Sequence, residues 1–238
     1  MDDVIATNIF RWFKSLEDQL VEFLDIVPAH VQNMGVWSPR LATIIIESCG
    51  LIDSVFRHLS PKTLKIKRKT KTRDELGLSD YAELYKNLML HKRKVIFLTR
   101  PSEYRVPFDN WHDSSSMAPE WWSIHNKLKH NRLKNISNAK LENAINALAG
   151  SLLVITSIPE LGPYLISQKW FNLRGFNPEI AVEFAQSGFN CSESFTVETS
   201  IFVVVLGQKN FSLPDSIEDF RPVLFGGSPR LMAFFRKF

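Results

Sequence analysis

The side chains best suited to chemistry lie in one short stretch, WWSIHNKLKHNR, at residues 121–132. On a helix, residues four apart share a face, so Asn126 and His130 point the same way, whereas His125 and His130 are about 140° apart. A histidine can take the proton of a ribose 2′-hydroxyl or protonate the leaving oxygen, and a lysine or arginine can stabilise the charge that develops on the phosphorane. One interpretation of the stretch is therefore an RNA-cleaving site with catalytic residues His130, His125 and Asn126 and with phosphate contacts from Lys127, Lys129 and Arg132.

An ordinary structural helix is the competing interpretation of this stretch. In that case the apolar residues pack inward and the polar side chains simply face water; the inward set is Trp121, Trp122, Ile124 and Leu128. Helix faces rich in histidine and lysine are common, so composition alone favours this interpretation. The two histidines also cannot both point into one shallow pocket unless the helix bends or a second subunit completes the site.

A basic run, KTLKIKRKTKTR at residues 62–73, carries seven cations and no acid. The whole chain has a net charge of +4, so the remainder has a charge of −3 (+4 minus +7). A focused patch of this kind attracts phosphate backbones or acidic partners through counterion release. We predict that the run is a loop on which Lys67, Arg68 and Lys69 contact RNA, and a solvated loop without a ligand is the alternative.

Composition places the chain among soluble globular proteins, with 45% apolar and 23% charged residues. The two cysteines, Cys49 and Cys191, form no disulfide framework, and no residues have metal-ligand spacing. Neither a P-loop nor a GxGxxG sequence is present, so we predict no metal and no cofactor. The N-terminus is not typical of a signal peptide, and the longest apolar run, at 201–207, is too short for a membrane span. These features predict a cytoplasmic protein without a membrane partner.

Helical periodicity predicts the elements that position the candidate site. Apolar residues three and four apart predict helices over 3–26 and 138–157, and a third helix, with the two tryptophans, over about 119–133. Ser38 followed by Pro39 is typical of a helix start, and the helix that follows runs to about residue 59. Asp80 with Glu83 resembles a capping pair and predicts a helix through residue 90.

Acidic side chains in the helix after Pro39 stand out because the helix is apolar nearly all round. Asp53 is predicted to pair with Arg57 one turn later, which is a structural role. Glu47 is left open, either as a structural residue or as a partner that orients a cation of the site.

The C-terminal part has a different composition and predicts strands. Residues 160–238 contain six of the ten glycines and five prolines, and FTVETSIFVVVLG predicts a strand whose second half is buried on both faces. Residues 94–99, KVIFLT, predict another short strand. We therefore predict a mainly α fold, with a helical core over 1–158 that includes the N-terminal helix and an irregular α+β extension over 159–238 packed on that core.

Two of these helical segments resemble the HEPN superfamily. WWSIHNKLKHNR with NISNAKLENAINALAGSLLVI is similar to the last two core helices of that fold, and RLATIIIESCGLIDSVFRHL is similar to an earlier one. The resemblance covers about residues 38–158 and implies an all-α bundle, usually dimeric, whose active members are metal-independent ribonucleases of toxin, phage-defence and RNA-processing systems. In the family signature, His130 matches the histidine and Asn126 the polar residue, whereas His125 stands where the family has arginine. Histidine cannot reproduce the fixed fork by which arginine binds phosphate, so Lys129 or Arg132 would have to replace it.

Two classes of function follow from this resemblance. The first is a HEPN-type ribonuclease, a toxin or phage-defence effector that forms a homodimer, acts on RNA and has an antitoxin or another protein as its partner. The second is a catalytically degenerate HEPN-like module that binds RNA or nucleotides or serves dimerisation. The dense histidine, asparagine and lysine face favours the first class, and the missing arginine favours the second.

Overall fold

The computed structural model describes residues 1–66, 69–99, 102–109, 111–112, 117–168, 170, 195–206 and 213. Over these residues the chain is mainly helical with a small sheet portion, which confirms the predicted mainly α class. The helices are α1 (Asp3–Leu24), α2 (Pro39–Leu59), α3 (Leu78–Leu84), α4 (Glu120–His130), α5 (Arg132–Asn135), α6 (Leu141–Ser157) and α7 (Gly162–Ser167). The strands are β1 (Thr63–Ile66), β2 (Lys69–Thr72), β3 (Val95–Phe97), β4 (Glu103–Arg105), β5 (Phe195–Glu198) and β6 (Phe202–Leu206).

The chain divides into two compact units. One unit, which contains the candidate site, comprises Trp12–Lys92 and Pro107–Val154. The other comprises Met1–Arg11, Arg93–Val106 and Ile155–Phe238, so it joins two segments from before residue 158 to the C-terminal part. Helices α1 and α6 each contribute residues to both units.

Helix α2 begins as the sequence predicts and forms the centre of the site-bearing unit. The Ser38 hydroxyl accepts a hydrogen bond from the Leu41 amide at 3.1 Å, and Pro39 occupies the first turn, where a missing N–H costs nothing. Most of its apolar residues between Leu41 and Phe56 are buried. From α6, the Ser151 hydroxyl donates to the Ser48 carbonyl at 3.2 Å, which fixes the two helices against each other.

Helix α4 packs against α6 through Trp121, and this packing depends on a glycine in α6. The Trp121 indole N–H donates to the Pro107 carbonyl at 2.7 Å, so the buried ring leaves no unpaired donor. A Cβ atom at Gly150 would lie 3.1 Å from Trp121 Cζ2 and 3.4 Å from Phe108 Cε2. The absence of a side chain at Gly150 therefore allows the indole to pack directly on the α6 backbone.

Helix α4 is shorter than predicted because Asn131 ends it. The Asn131 backbone leaves the helical region, with φ −153° and ψ 83°, and its side-chain oxygen accepts from the Lys134 amide at 3.1 Å. The same residue thus ends α4 and caps α5. The predicted single helix over 119–133 is therefore two helices.

The basic run is a hairpin, and the predicted loop is wrong for the part that the structure describes. Strands β1 and β2 are antiparallel, with Thr63 opposite Thr72 and Ile66 opposite Lys69. Leu64 and Ile66 alternate with polar residues, and Ile66 is buried, so the segment has the pattern of a half-buried strand that the charges obscure. Lys67 and Arg68 lie outside the described residues.

Helix α3 also departs from its prediction. It begins at Leu78 and ends at Leu84, rather than opening at Asp80 and running to residue 90. Asp80 lies inside the first turn, where its carboxylate accepts from the Gly77 amide at 3.0 Å and from the Lys71 ammonium at 2.8 Å. Beyond Leu84 the chain continues in single 3₁₀ turns at 86–88 and 90–92, and Met89 between them adopts the left-handed conformation (φ 46°).

The other unit contains a four-stranded antiparallel sheet in the order β4-β3-β6-β5. Strand β3 confirms the strand predicted over 94–99, and β6 is buried at every residue, as predicted for the end of FTVETSIFVVVLG. That segment forms a hairpin rather than one strand, because the Thr199 hydroxyl accepts from the Phe202 amide at 3.1 Å and closes a turn.

None of the helices in the described part of the chain is by itself both long and apolar enough to cross a membrane. Leu141–Ser157 and Pro159–Ser167 meet the criteria of length and composition only as a pair, and they are bent by 86° at the break between them.

The close approach at Gly150 gives a stability prediction. Gly150→Val inserts carbons where Trp121 lies, so we expect the free energy of unfolding to fall by about 1–3 kcal/mol. The matched control is Gly50→Ala in α2, where a Cβ would meet Trp12 at an ordinary 3.7 Å; helix propensity then raises the free energy of unfolding by about 0.5–1 kcal/mol. Urea denaturation of both variants measures this, and equal stabilities would contradict the close contact.

Candidate functional site

A cleft of about 520 Å³ lies between α2, α4 and residues 76–79, entirely within one unit, and we refer to it as the α2–α4 cleft. This volume is in the range of sites that hold small ligands. Helix α2 contributes Cys49, Gly50, Asp53 and Arg57 to its lining, and helix α4 contributes Trp122, His125, Asn126 and Lys129.

Helical spacing explains which side of α4 lines the cleft. Residues 122, 125, 126 and 129 are three or four apart, so they form one row along the helix. The neighbouring row, with Trp121, Ile124 and Leu128, is buried and holds the helix on the core. The same packing that makes α4 structural therefore directs the polar row into the cleft.

Asp53 and Arg57 form the best-defined polar contact of the cleft. The Arg57 guanidinium donates to Asp53 Oδ2 from Nη2 at 2.9 Å and from Nε at 3.2 Å, which confirms the predicted pair. Tyr81 of α3 donates its hydroxyl to Asp53 Oδ1 at 2.8 Å. Burial, followed by this bond and the charge of Asp53, raises the pKa of the Tyr81 hydroxyl, so Tyr81 remains a donor.

Arg57 also fixes the third wall of the cleft. Its guanidinium donates to the carbonyls of Asp74 at 2.6 Å, Leu76 at 3.3 Å and Arg73 at 3.4 Å. These bonds hold residues 73–76, which lead directly into the lining at Leu76–Ser79. The positive charge of Arg57 is thus engaged by Asp53 and backbone carbonyls, and its role is to build the cleft.

His125 is the titratable group of the α4 row. Its half-buried ring meets the Trp122 ring edge-on, with 5.5 Å between the ring centroids. Nδ1 is buried without a hydrogen-bond partner among the described residues, so Nε2 is the nitrogen left to meet a ligand. Burial, and next the positive charge of Lys129, lowers the pKa of His125 below its usual 6.5. The imidazole is therefore neutral near pH 7.

Asn126 and Lys129 add an amide and an ammonium group to the same wall. Both side chains are exposed, and neither is held by a hydrogen bond or an ion pair in the part of the chain that the structure describes. Because Asp53 neutralises Arg57, Lys129 supplies the uncompensated positive charge of the cleft lining. An anionic ligand is therefore favoured.

Cys49 lines the cleft but lacks the properties of a nucleophile. The thiol is buried, and burial, followed by the negative charge of Asp53, raises its pKa well above the usual value. A protonated thiol is a poor nucleophile and a poor metal ligand. Among the residues that the structure describes, no group of three histidine, cysteine or carboxylate side chains is arranged to hold a metal ion.

The structure separates the predicted site residues into two groups. His125, Asn126 and Lys129 lie together in the cleft, whereas His130 and Lys127 are exposed outside its lining. Arg132 donates to the Pro39 carbonyl at 2.9 Å and the Thr43 hydroxyl at 2.8 Å, which ties it to the start of α2.

The remaining predicted positions also lie apart from the cleft. Lys69 is exposed on β2, while Lys67 and Arg68 fall outside the described residues. Glu47 does not line the cleft and forms no ion pair with any residue of the described chain.

Sequence reasoning missed the wall formed by Leu76–Ser79 and the contribution of Trp111. The α2 residues could have been identified from the sequence, because Cys49, Asp53 and Arg57 are spaced by four and mark a polar row on an apolar helix. Nothing in the local sequence indicates that Arg57 hydrogen-bonds to residues 73–76 and so places them beside that row.

Comparisons with known proteins assign no family to this chain. No protein-family model, no curated protein and no solved structure matches it. Conclusions about function therefore depend on the cleft and its chemistry.

The pKa of His125 provides a direct test of the cleft electrostatics. We expect an NMR titration of the imidazole to give a pKa below 6.5, and we expect Lys129→Met to raise that pKa because it removes a nearby positive charge. Lys127→Met, on the same helix but outside the cleft, serves as the control and should leave it unchanged. A His125 pKa at or above 6.5 in the unsubstituted protein would contradict the burial of the ring.

The role of Arg57 gives a second prediction for the cleft. Arg57→Lys keeps the positive charge but loses the guanidinium N–H groups that bind Asp53 and the carbonyls of residues 73–76 together. We therefore expect the free energy of unfolding to fall by about 1–3 kcal/mol and the amides of residues 73–77 to exchange faster. Arg40→Lys is the matched control: Arg40 pairs with Glu22 at an exposed position, where an ion pair contributes roughly 0–1 kcal/mol. Denaturation with hydrogen-exchange mass spectrometry measures both effects, and unchanged exchange at 73–77 would show that Arg57 does not hold the wall.

Proposed function

We propose that this chain is a metal-independent ribonuclease of the HEPN type that binds and cleaves RNA in the α2–α4 cleft. The observation that carries the proposal is the presence of a neutral imidazole, an amide and an ammonium group on one wall of one cleft, from His125, Asn126 and Lys129. The metal independence and the family come from the resemblance of residues 38–158 to HEPN helices.

The reaction needs a base, and His125 has the right protonation state. Its lowered pKa leaves the imidazole free at neutral pH to take the proton of a ribose 2′-hydroxyl at Nε2. The 2′-oxygen then bonds to phosphorus while the bond from phosphorus to the 5′-oxygen breaks. The products are a 2′,3′-cyclic phosphate and a 5′-hydroxyl, whose oxygen takes up a proton as it leaves.

Lys129 and Asn126 support the same step. The ammonium group of Lys129 stabilises the negative charge on the non-bridging oxygens as the phosphorane forms, and the Asn126 amide donates a hydrogen bond that orients the phosphate. Removal of a comparable charge or donor lowers rates by about 10²–10³ in other enzymes. Lys129 thus takes the place of the arginine that the family signature has at the position of His125.

A homodimer is part of this proposal. His130, which matches the signature histidine, is exposed and lies outside the cleft of its own chain. The family resemblance implies a dimer, in which the exposed His130 of one copy would approach the cleft of the other and protonate the leaving oxygen. Sedimentation equilibrium measures the association state on which this arrangement depends.

RNA binding without cleavage is the second candidate function. It is favoured by the environment of Nδ1 of His125, which has no carboxylate or carbonyl partner among the described residues to orient the ring or to stabilise the imidazolium. In this case the cleft holds a phosphate through Lys129 and Asn126, and the neutral His125 donates or accepts a hydrogen bond.

Cleavage of a labelled RNA in EDTA tests the proposed ribonuclease. We expect the wild-type protein to shorten RNA to products with 2′,3′-cyclic phosphate ends, His125→Ala to lower the rate by about 10²–10⁴, and Lys127→Met to leave it unchanged. The rate should fall in acid as His125 gains a proton, because only the neutral imidazole acts as a base.

The matched substrate is the same RNA with 2′-O-methyl groups, which can bind but has no proton at the 2′-oxygen. Binding of both RNAs without cleavage of either assigns the second candidate function. Failure of both RNAs to bind, in a protein that remains folded, rejects both functions.

A further inference from the structure

A second basic surface lies outside the α2–α4 cleft, and we call it the outer face. It is formed by residues 26–38, after α1, and by residues 127–140, from the end of α4 through α5. The two segments are joined by hydrogen bonds from the Leu141 amide to the Val36 carbonyl at 2.8 Å and from Glu142 to Met34 at 3.2 Å, and by a β-bridge between Trp37 and Lys140.

The turn at the centre of the outer face is firmly built. The Asn135 side chain donates to the carbonyls of Lys127 at 3.1 Å and Asn131 at 2.8 Å, in addition to the backbone hydrogen bonds that both carbonyls accept. Asn131 caps α5, and Arg132 is tied to α2. Leu133 lies between these anchors, so its backbone is held in place while its side chain projects into solvent.

Large apolar side chains on this face are unusually exposed. Leu133 is 92% exposed, Val31 82%, Ile26 78% and Trp37 49%. These four make up half of the eight exposed large hydrophobic residues in the described part of the chain. One exposed leucine is ordinary on a protein surface, whereas several exposed apolar side chains on two joined segments are typical of a surface that another molecule covers.

The charge of the outer face is mainly positive. Residues 26–46 and 121–141 contain no acid, although the chain has 25, and the exposed acids Asp25 and Glu142 border these ranges. Lys127, Lys134 and Lys140 are exposed and have no acidic or hydrogen-bonding partner for their ammonium groups among the residues described. The face therefore combines exposed apolar side chains with an excess of positive charge.

We infer that the outer face binds an acidic segment of another protein chain, in which carboxylates meet the lysines and an aliphatic or aromatic side chain covers Leu133. Phosphates of RNA would satisfy the lysines but not the aliphatic side chains of Leu133, Val31 and Ile26, and this difference favours a protein segment. The site is separate from the cleft, because neither Leu133 nor these lysines line it. The inference does not depend on the proposed cleavage of RNA.

Selection from a phage-displayed library of random ~12-residue peptides on the immobilised full-length protein tests this inference. We expect selected peptides to be rich in aspartate and glutamate and to contain a large apolar residue. By fluorescence anisotropy, Leu133→Ser and the double variant Lys127→Glu/Lys134→Glu should each weaken their binding by about ten-fold or more. The matched controls, Val4→Ser and Lys86→Glu, alter exposed residues elsewhere and should leave the affinity unchanged.

Three results would overturn the inference. These are selected peptides without acidic enrichment, acidic peptides that bind the Leu133→Ser variant as tightly as the wild type, and no enrichment at all. A labelled ~20-nucleotide RNA is titrated in parallel. RNA binding that is weakened by Lys127→Glu/Lys134→Glu, untouched by Leu133→Ser and unaccompanied by peptide enrichment assigns the face to nucleic acid. Melting temperatures of all variants confirm that each one is folded.

Discussion

The ion pair between Asp53 and Arg57 is the contact on which the candidate site depends. It is partly buried, and Asp53 is further satisfied by Tyr81, while Arg57 reaches three backbone carbonyls between residues 73 and 76. Arg57 on α2 thereby holds residues 73–76 in place, next to the cleft wall that faces α4. A pair of this kind contributes more to the shape of the cleft than to the free energy of unfolding. The reason is that the attraction between the two charges is partly offset by the cost of removing them from water.

Helix α4 has two roles, and different rows of its residues serve them. Trp121 and the apolar row hold the helix on the core, and the adjacent row places His125, Asn126 and Lys129 in the cleft. Asn131 then stops the helix, so the cations that follow it belong to a separate surface. The density of charge in WWSIHNKLKHNR thus reflects two faces with different neighbours rather than one continuous binding surface.

Much of the secondary structure could be predicted because helix signals are local. The Ser38 cap, the amphipathic period of α1 and the apolar length of α6 each act within a few residues. The basic run was mistaken for a loop because its charges mask an alternation that only matters once Ile66 is buried. The helix expected to run to residue 90 ends at Leu84, with Tyr85 as its C-cap, and no local signal marks that end.

By itself, the sequence determined which residues could do chemistry and which helices carry them. It identified His125, Asn126 and Lys129 and the pairing of Asp53 with Arg57, because residue type and a separation of three or four are readable along one helix. The tertiary structure decided which of them meet. It brought α2 beside α4, closed the cleft with residues 76–79, lowered the pKa of His125 by burial and left His130 and Lys127 outside. Contacts between segments far apart in the chain depend on packing and desolvation, and neither is encoded in the spacing of residues along a single helix.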